Sequence, residues 1–170
     1  LEREKLAEIK KKADYIIDTS DLNVKELKAE VGKIFAKENE RKGLLINMVS
    51  FGFKHGIPLD ADLVFDVRFL PNPFYVEELR RLTGNDKEVQ EYVLKYKVTQ
   101  TFIDKTFDLL KFLIPYYIEE GKTQLIIAIG CTGGQHRSVT IANVLTELLN
   151  KEGQWAIIDH RDVYKYLGEN

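Results

Sequence analysis

The sequence is poor in the residues that mark unusual classes of protein. It has one cysteine, one methionine, one tryptophan and four prolines in 170 residues. Its single cysteine, Cys131, has no partner for an internal disulfide, which is typical of a reducing cytosol, so we expect a cytoplasmic protein. With little proline and 44% hydrophobic residues, the chain lacks the composition of a disordered or fibrous protein. Its length suits one compact domain, or one domain with a short appendage.

Three further absences limit the possible partners and the extent of the chain. No apolar run approaches the roughly 20 residues that a bilayer crossing requires, and no signal peptide opens the sequence, so no membrane partner is expected. The 25 basic and 27 acidic residues give a net charge of -2, so a basic nucleic-acid surface would have to be local. The first residue is Leu1, and the only methionine is Met48. We therefore expect a piece of a longer protein.

The character of the chain changes near residue 43. Residues 1–12 and about 21–35 have helical patterns, the second with a cap near Asp21, and a short strand is predicted over 13–20. The polar run 37–43 ends in glycine, which marks a candidate domain boundary. An ordinary helix end would have the same composition.

Beyond residue 43, apolar strands alternate with helical patterns. Branched, aromatic and continuous apolar runs predict strands over 44–51, 62–69, 123–130 and 155–160. Helical patterns cover the later part of 71–84, then 86–96, 99–121 and the later part of 132–153. Strands separated by helices predict an α/β fold, with a mainly parallel sheet flanked by helices.

The helix predicted over 99–121 differs from the others. Its apolar residues are spread too widely for one stripe, so we predict that it is well buried. Pro115 is predicted to bend or end it.

The most informative segment is IAIGCTGGQHRSV, residues 127–139, where a predicted buried strand meets a glycine-rich turn that opens a helix. Main-chain N–H groups converge at such a turn, and the helix dipole adds positive potential there. Gly133 and Gly134 allow a close approach of the backbone. Side chains suited to an anion are Thr132, His136, Arg137 and Ser138. We predict a strand–glycine loop–helix anion site; a turn that needs glycine only for its backbone is the simpler alternative.

A second group of candidate residues follows the first two predicted strands. Lys54 and His55 form a basic loop, and Asp66 and Arg68 share one face of the next strand. Ligands collect beyond the carboxyl ends of strands in open α/β sheets, so we expect these residues to converge with the loop 131–138 on one crevice. The alternatives are an internal ion pair for Asp66 and Arg68, and a structural role for His55.

Other polar residues carry weaker signals. Asp60 and Asp62 are interpreted as turn and cap residues, so no metal is expected. No cofactor is expected either. His160, Arg161 and Asp162, after the last strand, either edge the same crevice or form a solvated strand end.

The loop also fits the pattern C-x-x-G-x-x-R-[ST] of cysteine-dependent phosphatases, at Cys131, Gly134, Arg137 and Ser138. In such enzymes a thiolate attacks phosphorus while arginine binds the phosphate oxygens. The histidine that usually precedes the cysteine is Gly130 here, and Asp66 is the candidate general acid. A small buried hydrophobe is the structural alternative for Cys131.

Two long phrases, SFGFKHGIPLDADLVFDVRFLPNPFY (50–75) and LIIAIGCTGGQHRSV (125–139), resemble the RNase adapter protein family RapZ/YvcJ, nucleotide-binding proteins with a P-loop ATPase-like domain. The segment ADYIIDTSDL (13–22) is similar to the end of that family's amino-terminal kinase-like domain. The resemblance implies that 1–42 is a remnant of that domain and 43–170 the carboxy-terminal ligand-binding domain. The family's Walker A loop has no counterpart here, so ATP or GTP hydrolysis is not expected of this chain.

For the remaining domain the resemblance implies regulation without catalysis. The family senses an amino-sugar phosphate, glucosamine-6-phosphate, and self-associates as a homo-oligomer. In some bacteria it also binds small RNA and the ribonuclease that cleaves it. The matching ligand positions are Asp66, Arg68, Thr132, Gly133, Gly134, His136 and Arg137.

Two departures from the family pattern bear on these expectations. Phe74 stands where the family has an aromatic residue or histidine after Asn-Pro, so one polar ligand contact is expected to be missing. The basic tail of the RNA-binding members is replaced by DVYKYLGEN (162–170), with one lysine against two acids. Phosphate contacts dominate RNA affinity, so this tail argues against RNA binding.

Overall fold

The computed structural model describes residues 43–165 and positions 17, 19, 20, 23, 24, 26, 27 and 31. The chain divides into two units, Leu1–Lys42 and Gly43–Asn170. In the first, Asn23 and Glu26 exchange N–H to side-chain oxygen bonds of 2.9 and 3.0 Å, a capping box at the start of a helical segment. The helix predicted over 1–12 lies outside the described residues, and the strand predicted over 13–20 lies mostly outside them. The origin of 1–42 stays a prediction.

The four strands predicted beyond residue 43 are all present. Strands β1 (Leu45–Gly52), β2 (Leu63–Asp66), β3 (Gln124–Cys131) and β4 (Trp155–His160) form one sheet in the order β2-β3-β1-β4. Every neighbouring pair is parallel, and the register places Gly52 opposite Cys131 and Asp66 opposite Gly130. The carboxyl ends of the strands therefore share one edge, and the predicted α/β class is confirmed.

Three α-helices accompany the sheet within residues 43–165: α1 (Lys87–Leu94), α2 (Lys97–Glu119) and α3 (Arg137–Lys151). Helix α3 lies against β1, β3 and β4. Its fully buried Ile141 and Leu145 belong to one core with Met48 and Ile127 of the sheet. Burying each such side chain stabilises the fold by about 1.5–3 kcal/mol. This packing fixes the amino end of α3 near the end of β3.

The prediction that α2 is well buried is wrong. Its buried apolar side chains form a single stripe, at Ile103, Leu110 and Ile114. Phe112 and Tyr116 are 60% and 56% exposed, because α2 packs on α1 and α3 along one side only. The helix also continues past Pro115 to Glu119. Within the described part of the chain, no helix combines the length and apolar character needed to span a membrane.

The helix predicted in the later part of 71–84 is replaced by two short 3-10 turns, Pro73–Tyr75 and Glu77–Leu79. The reason is tertiary. The side-chain Nε2 of Gln135 donates to the carbonyl oxygens of Leu82 at 2.7 Å and of Arg80 at 3.3 Å. These carbonyls hold the loop after β3 rather than serving a helical ladder of their own.

Candidate anion-binding site

A cavity of about 240 Å³ opens at the carboxyl edge of the sheet. It lies between the loop that joins β3 to α3 and the segment that follows β2. Its lining residues are Lys54, Asn72, Phe74, Tyr75, Cys131, Thr132, Gly133, Gln135, His136 and Arg137. Two of these carry positive charge, and none of the described residues that line the cavity is a carboxylate. Such a lining favours an anionic ligand.

Arg137, the first residue of α3, is only 5% exposed. Its Nη1 donates to the carbonyl oxygens of Arg68 at 2.5 Å and Leu70 at 3.0 Å, and its Nη2 donates to Thr132 Oγ1 at 3.4 Å. The Nε atom is buried without a partner. Burial lowers the pKa of Arg137, but a guanidinium remains charged in proteins. Main-chain carbonyls therefore hold a fixed positive charge beside the cavity. The Nε donor of Arg137 has no partner among the described residues.

The main chain of the loop supplies further donors. Gly134 has a φ of +80° and donates its N–H to Cys131 Sγ at 3.3 Å. Within the described residues, the N–H groups of Gly133, Gln135 and His136 have no acceptor, whether main chain or side chain. They precede the first turn of α3, where unpaired N–H groups and the helix dipole favour negative charge.

His136 is 5% exposed, and its Nε2 atom is buried without a partner. Burial lowers the pKa of His136, with the neighbouring Arg137 adding to this, although the main chain of residues 79, 80 and 82 acts to raise it. The net shift is downward, so the imidazole is neutral at pH 7. His136 therefore lines the cavity with a neutral imidazole rather than with a charge.

The opposite wall of the cavity was missed by the sequence reasoning, which identified only Phe74 there. The Arg80 guanidinium lies 5.2 Å from the centroid of the Phe74 ring, and its Nε donates to the Phe74 carbonyl at 3.0 Å. Asn72 accepts the N–H of Phe74 at 3.3 Å, and Tyr75 is 80% exposed. The available signal was topological, because this segment follows β2 at the edge where ligands collect.

Five of the predicted site residues line the cavity: Lys54, Thr132, Gly133, His136 and Arg137. Two others support it from behind. Gly134 is buried, and a Cβ at that position would meet the Gly52 nitrogen at 2.7 Å. Ser138 is fully buried, with its Oγ 3.1 Å from Cys131 Sγ.

The three remaining candidates lie outside the lining. Asp66 and Arg68 bind each other: Arg68 Nε lies 3.0 and 2.9 Å from the two carboxylate oxygens, and Nη2 lies 2.7 Å from one of them. This hydrogen bonding lowers the pKa of Asp66. Arg68 also covers the Phe53 ring at 4.1 Å. His55 has a buried Nε2 atom with no partner. A direct ligand role for these three stays a prediction.

Asp162 is neither an edge of the cavity nor a solvated strand end. It is fully buried, and it accepts the Gly52 N–H at 2.8 Å, Arg161 Nη2 at 2.7 Å and Lys165 Nζ at 2.6 Å. Burial alone would raise the pKa of Asp162, but these three donors outweigh it and lower the pKa from 3.8 to about 2. The carboxylate thus connects the segment after β4 to the end of β1. Asp162 lies next to Gly134 of the loop that joins β3 to α3.

This arrangement gives the stability of the fold a defined acid dependence. Because the folded pKa of Asp162 lies below its unfolded value, its contribution is complete above pH 4 and is lost as the pH falls towards 2. We expect a loss of about 1–2 kcal/mol, since Arg161 and Lys165 are partly screened by solvent. Urea unfolding of the unaltered chain and of Asp162→Asn at a series of pH values measures this loss of unfolding free energy. Identical acid limbs in the two proteins would show that Asp162 contributes nothing.

Residues 44–164 match the family model described as the RapZ C-terminal domain. A nucleotide-binding protein of Thermoanaerobacter sp. strain X514 is 63% identical over 162 residues, which are 95% of this chain and 57% of that protein. A nucleotide-binding protein of Staphylococcus epidermidis is 58% identical over 169 residues, which are 99% of this chain and 56% of that protein. The chain thus spans little more than half the length of these curated relatives.

Proposed function

Because the chain belongs to the RapZ C-terminal domain family, we propose that it is a regulatory domain whose cavity binds a phosphate-bearing metabolite of monosaccharide size, such as glucosamine-6-phosphate. The observation that carries this proposal is the cavity itself. It combines the buried guanidinium of Arg137 with unpaired main-chain N–H groups and has no carboxylate among its described lining residues.

The donors around the cavity match the acceptors of a phosphate group. A phosphate monoester presents three terminal oxygens, and the loop offers the N–H groups of Gly133, Gln135 and His136 together with the guanidinium of Arg137. Hydrogen bonds to a charged group are worth about 1.5–3 kcal/mol each. Lys54 adds a second positive charge from the loop after β1. The phosphate is therefore the part of the ligand expected to supply most of the affinity.

The size and the second wall of the cavity favour a sugar as the rest of the ligand. Pockets for drug-sized molecules measure about 300–1,000 Å³, and this cavity of about 240 Å³ is smaller. A hexose phosphate suits that volume better than a nucleotide, which adds a base to its sugar and phosphate. Phe74 and Tyr75 give the sugar ring an aromatic face to lie against. The name of the relatives, nucleotide-binding protein, applies to longer chains.

Calorimetric titration with glucosamine-6-phosphate, sulfate and free glucosamine tests this proposal. We expect the sugar phosphate to bind at least about 100-fold more tightly than free glucosamine, since two charge-assisted hydrogen bonds suffice for that factor. Lys54→Ala should weaken binding of the sugar phosphate. Lys87→Ala is the matched control, because Lys87 is an exposed lysine of α1 outside the cavity. Equal affinities for all three ligands, or no binding of any, would contradict the proposal.

A cysteine-dependent phosphatase is the second candidate. It is favoured by the contacts of Cys131 Sγ with Gly134 N–H and Ser138 Oγ, which direct two hydrogen-bonding groups at the sulfur. The proposed general acid, Asp66, is instead bound to Arg68 and lies outside the lining. The structure therefore supports ligand binding without turnover better than it supports phosphatase activity. Hydrolysis of an aryl phosphate by this chain, absent in Cys131→Ser, would favour the phosphatase instead.

A further inference from the structure

Cys131 is the only cysteine of the chain, and it lines the cavity at the end of β3. The residue is 3% exposed, so reagents can reach its sulfur only through the cavity or by opening of the fold. Its Sγ lies 3.1 Å from Ser138 Oγ and accepts the Gly134 N–H at 3.3 Å. A thiolate at this position would keep both contacts as an acceptor.

A second observation points to small polar molecules in the same cavity. His136 and Arg137 are each 95% buried, and each has a side-chain nitrogen with no hydrogen-bond partner, Nε2 and Nε respectively. Buried polar atoms are nearly always paired with protein, water or a ligand. Because both residues line the cavity beside Cys131, a polar molecule that pairs with them would lie close to the thiol.

We propose that Cys131 is an oxidation site for small peroxides that enter through the cavity, and that an anion bound there protects it. The thiolate sulfur attacks one oxygen of hydrogen peroxide, so an S–O bond forms as the O–O bond breaks. The departing hydroxide takes up a proton and leaves as water, which gives RSH + H₂O₂ → RSOH + H₂O. Sulfur is oxidised by two electrons and the peroxide is reduced by two.

The product would change the ligand site. The added oxygen extends from Sγ into the space beside Arg137, where it competes with the anion for the same donors. The chain has no second cysteine to close an internal disulfide, so the sulfenic acid is expected to be reduced by a small thiol such as glutathione. Oxidation would thus reversibly lower the affinity for the anion. The protection half of this inference rests on the proposed function, whereas the oxidation half does not.

The route to the thiol is tested by the size of the reagent. The complete chain is alkylated with iodoacetamide and, separately, with a fluorescein maleimide, both folded and unfolded in guanidinium chloride. If opening of the fold exposes Cys131, folding slows both reagents by the same factor. Entry through the cavity should slow the maleimide at least about tenfold more than iodoacetamide, because only the smaller reagent fits. Equal factors for the two reagents would overturn the inference.

Oxidation and protection are measured on the same chain. Hydrogen peroxide with dimedone should add one dimedone mass to the folded protein and none to Cys131→Ser, and saturating inorganic phosphate should slow that addition at least about threefold. No adduct, or no slowing when calorimetry shows that phosphate binds, would overturn the inference. Size-selective labelling without binding of either inorganic phosphate or glucosamine-6-phosphate would support the oxidation site and contradict the proposed function instead.

Discussion

Arg137→Lys is expected to lose most of the anion affinity of the cavity even though it keeps the positive charge. The Nη1 group of Arg137 is held by the carbonyls of Arg68 and Leu70, Nη2 donates to Thr132 Oγ1, and Nε has no partner among the described residues. A lysine ammonium is a single point donor and cannot serve both carbonyls and a phosphate at once. Loss of one charge-assisted hydrogen bond corresponds to about 10–100-fold weaker binding of glucosamine-6-phosphate.

The same substitution should also lower the free energy of unfolding by about 1–3 kcal/mol, because a buried carbonyl loses its donor. Calorimetry gives the affinity and urea unfolding the stability. The matched control is Arg81→Lys, which changes an exposed arginine outside the cavity and should alter neither quantity. Arg137→Lys that bound the sugar phosphate as tightly as the unaltered chain would remove Arg137 from the site.

Gly52→Ala is expected to displace the loop that joins β3 to α3, because Gly52 lies against the main chain of that loop. A Cβ at Gly52 would lie 2.5 Å from the carbonyl carbon of Gly133 and 2.8 Å from the nitrogen of Gly134. Both are main-chain atoms, so no side chain can rotate away to make room. The φ of Gly52 is −106°, which any residue adopts, so the effect comes from the close approach alone. We expect the free energy of unfolding to fall by about 1–3 kcal/mol, as for overpacked cores.

The ligand affinity of Gly52→Ala should fall with its stability, because Gly133 lines the cavity and its N–H must keep its position. Titration at a temperature where the variant remains folded separates the two effects. Gly43→Ala is the matched control, since a Cβ there has open space around it and the residue has no positive φ. It should change stability by less than about 1 kcal/mol. Unaltered binding by Gly52→Ala would show that ligand affinity does not depend on the position of the loop that joins β3 to α3.

The strands of the sheet and the loop after β3 were predictable from the sequence because the patterns that indicate them are local. Apolar runs identified all four strands, and the family resemblance is confirmed over residues 44–164. The strand–glycine loop–helix arrangement at 127–139 is likewise a pattern of adjacent residues, and it predicted the loop beside which the cavity opens. Helix α2 shows the limit of such reasoning. Apolar residues on several sides do not reveal how many partners a helix will have, and Phe112 is 60% exposed, with its ring against Tyr116 of the same helix.

The parts of the site that were missed depend on distant pairings. Gln135 reads as an ordinary polar loop residue, and only the fold shows that it binds the carbonyls of Arg80 and Leu82. The sequence likewise left Asp162 as either an edge of the crevice or a solvated strand end, whereas the register of β1 and β4 brings it to the N–H of Gly52. Neither partner is near in sequence, so no periodicity or spacing could have indicated it.

The anion site proposed for this chain is formed by the loop after β3 together with Arg137. The most direct measurement is a crystal structure of the chain grown with selenate and recorded at the selenium absorption edge. We expect an anomalous peak in the cavity, with selenate oxygens about 2.7–3.2 Å from the Arg137 guanidinium and from the N–H groups of Gly133 and Gln135. Selenate bound only elsewhere, with those N–H groups turned towards protein acceptors, would contradict it.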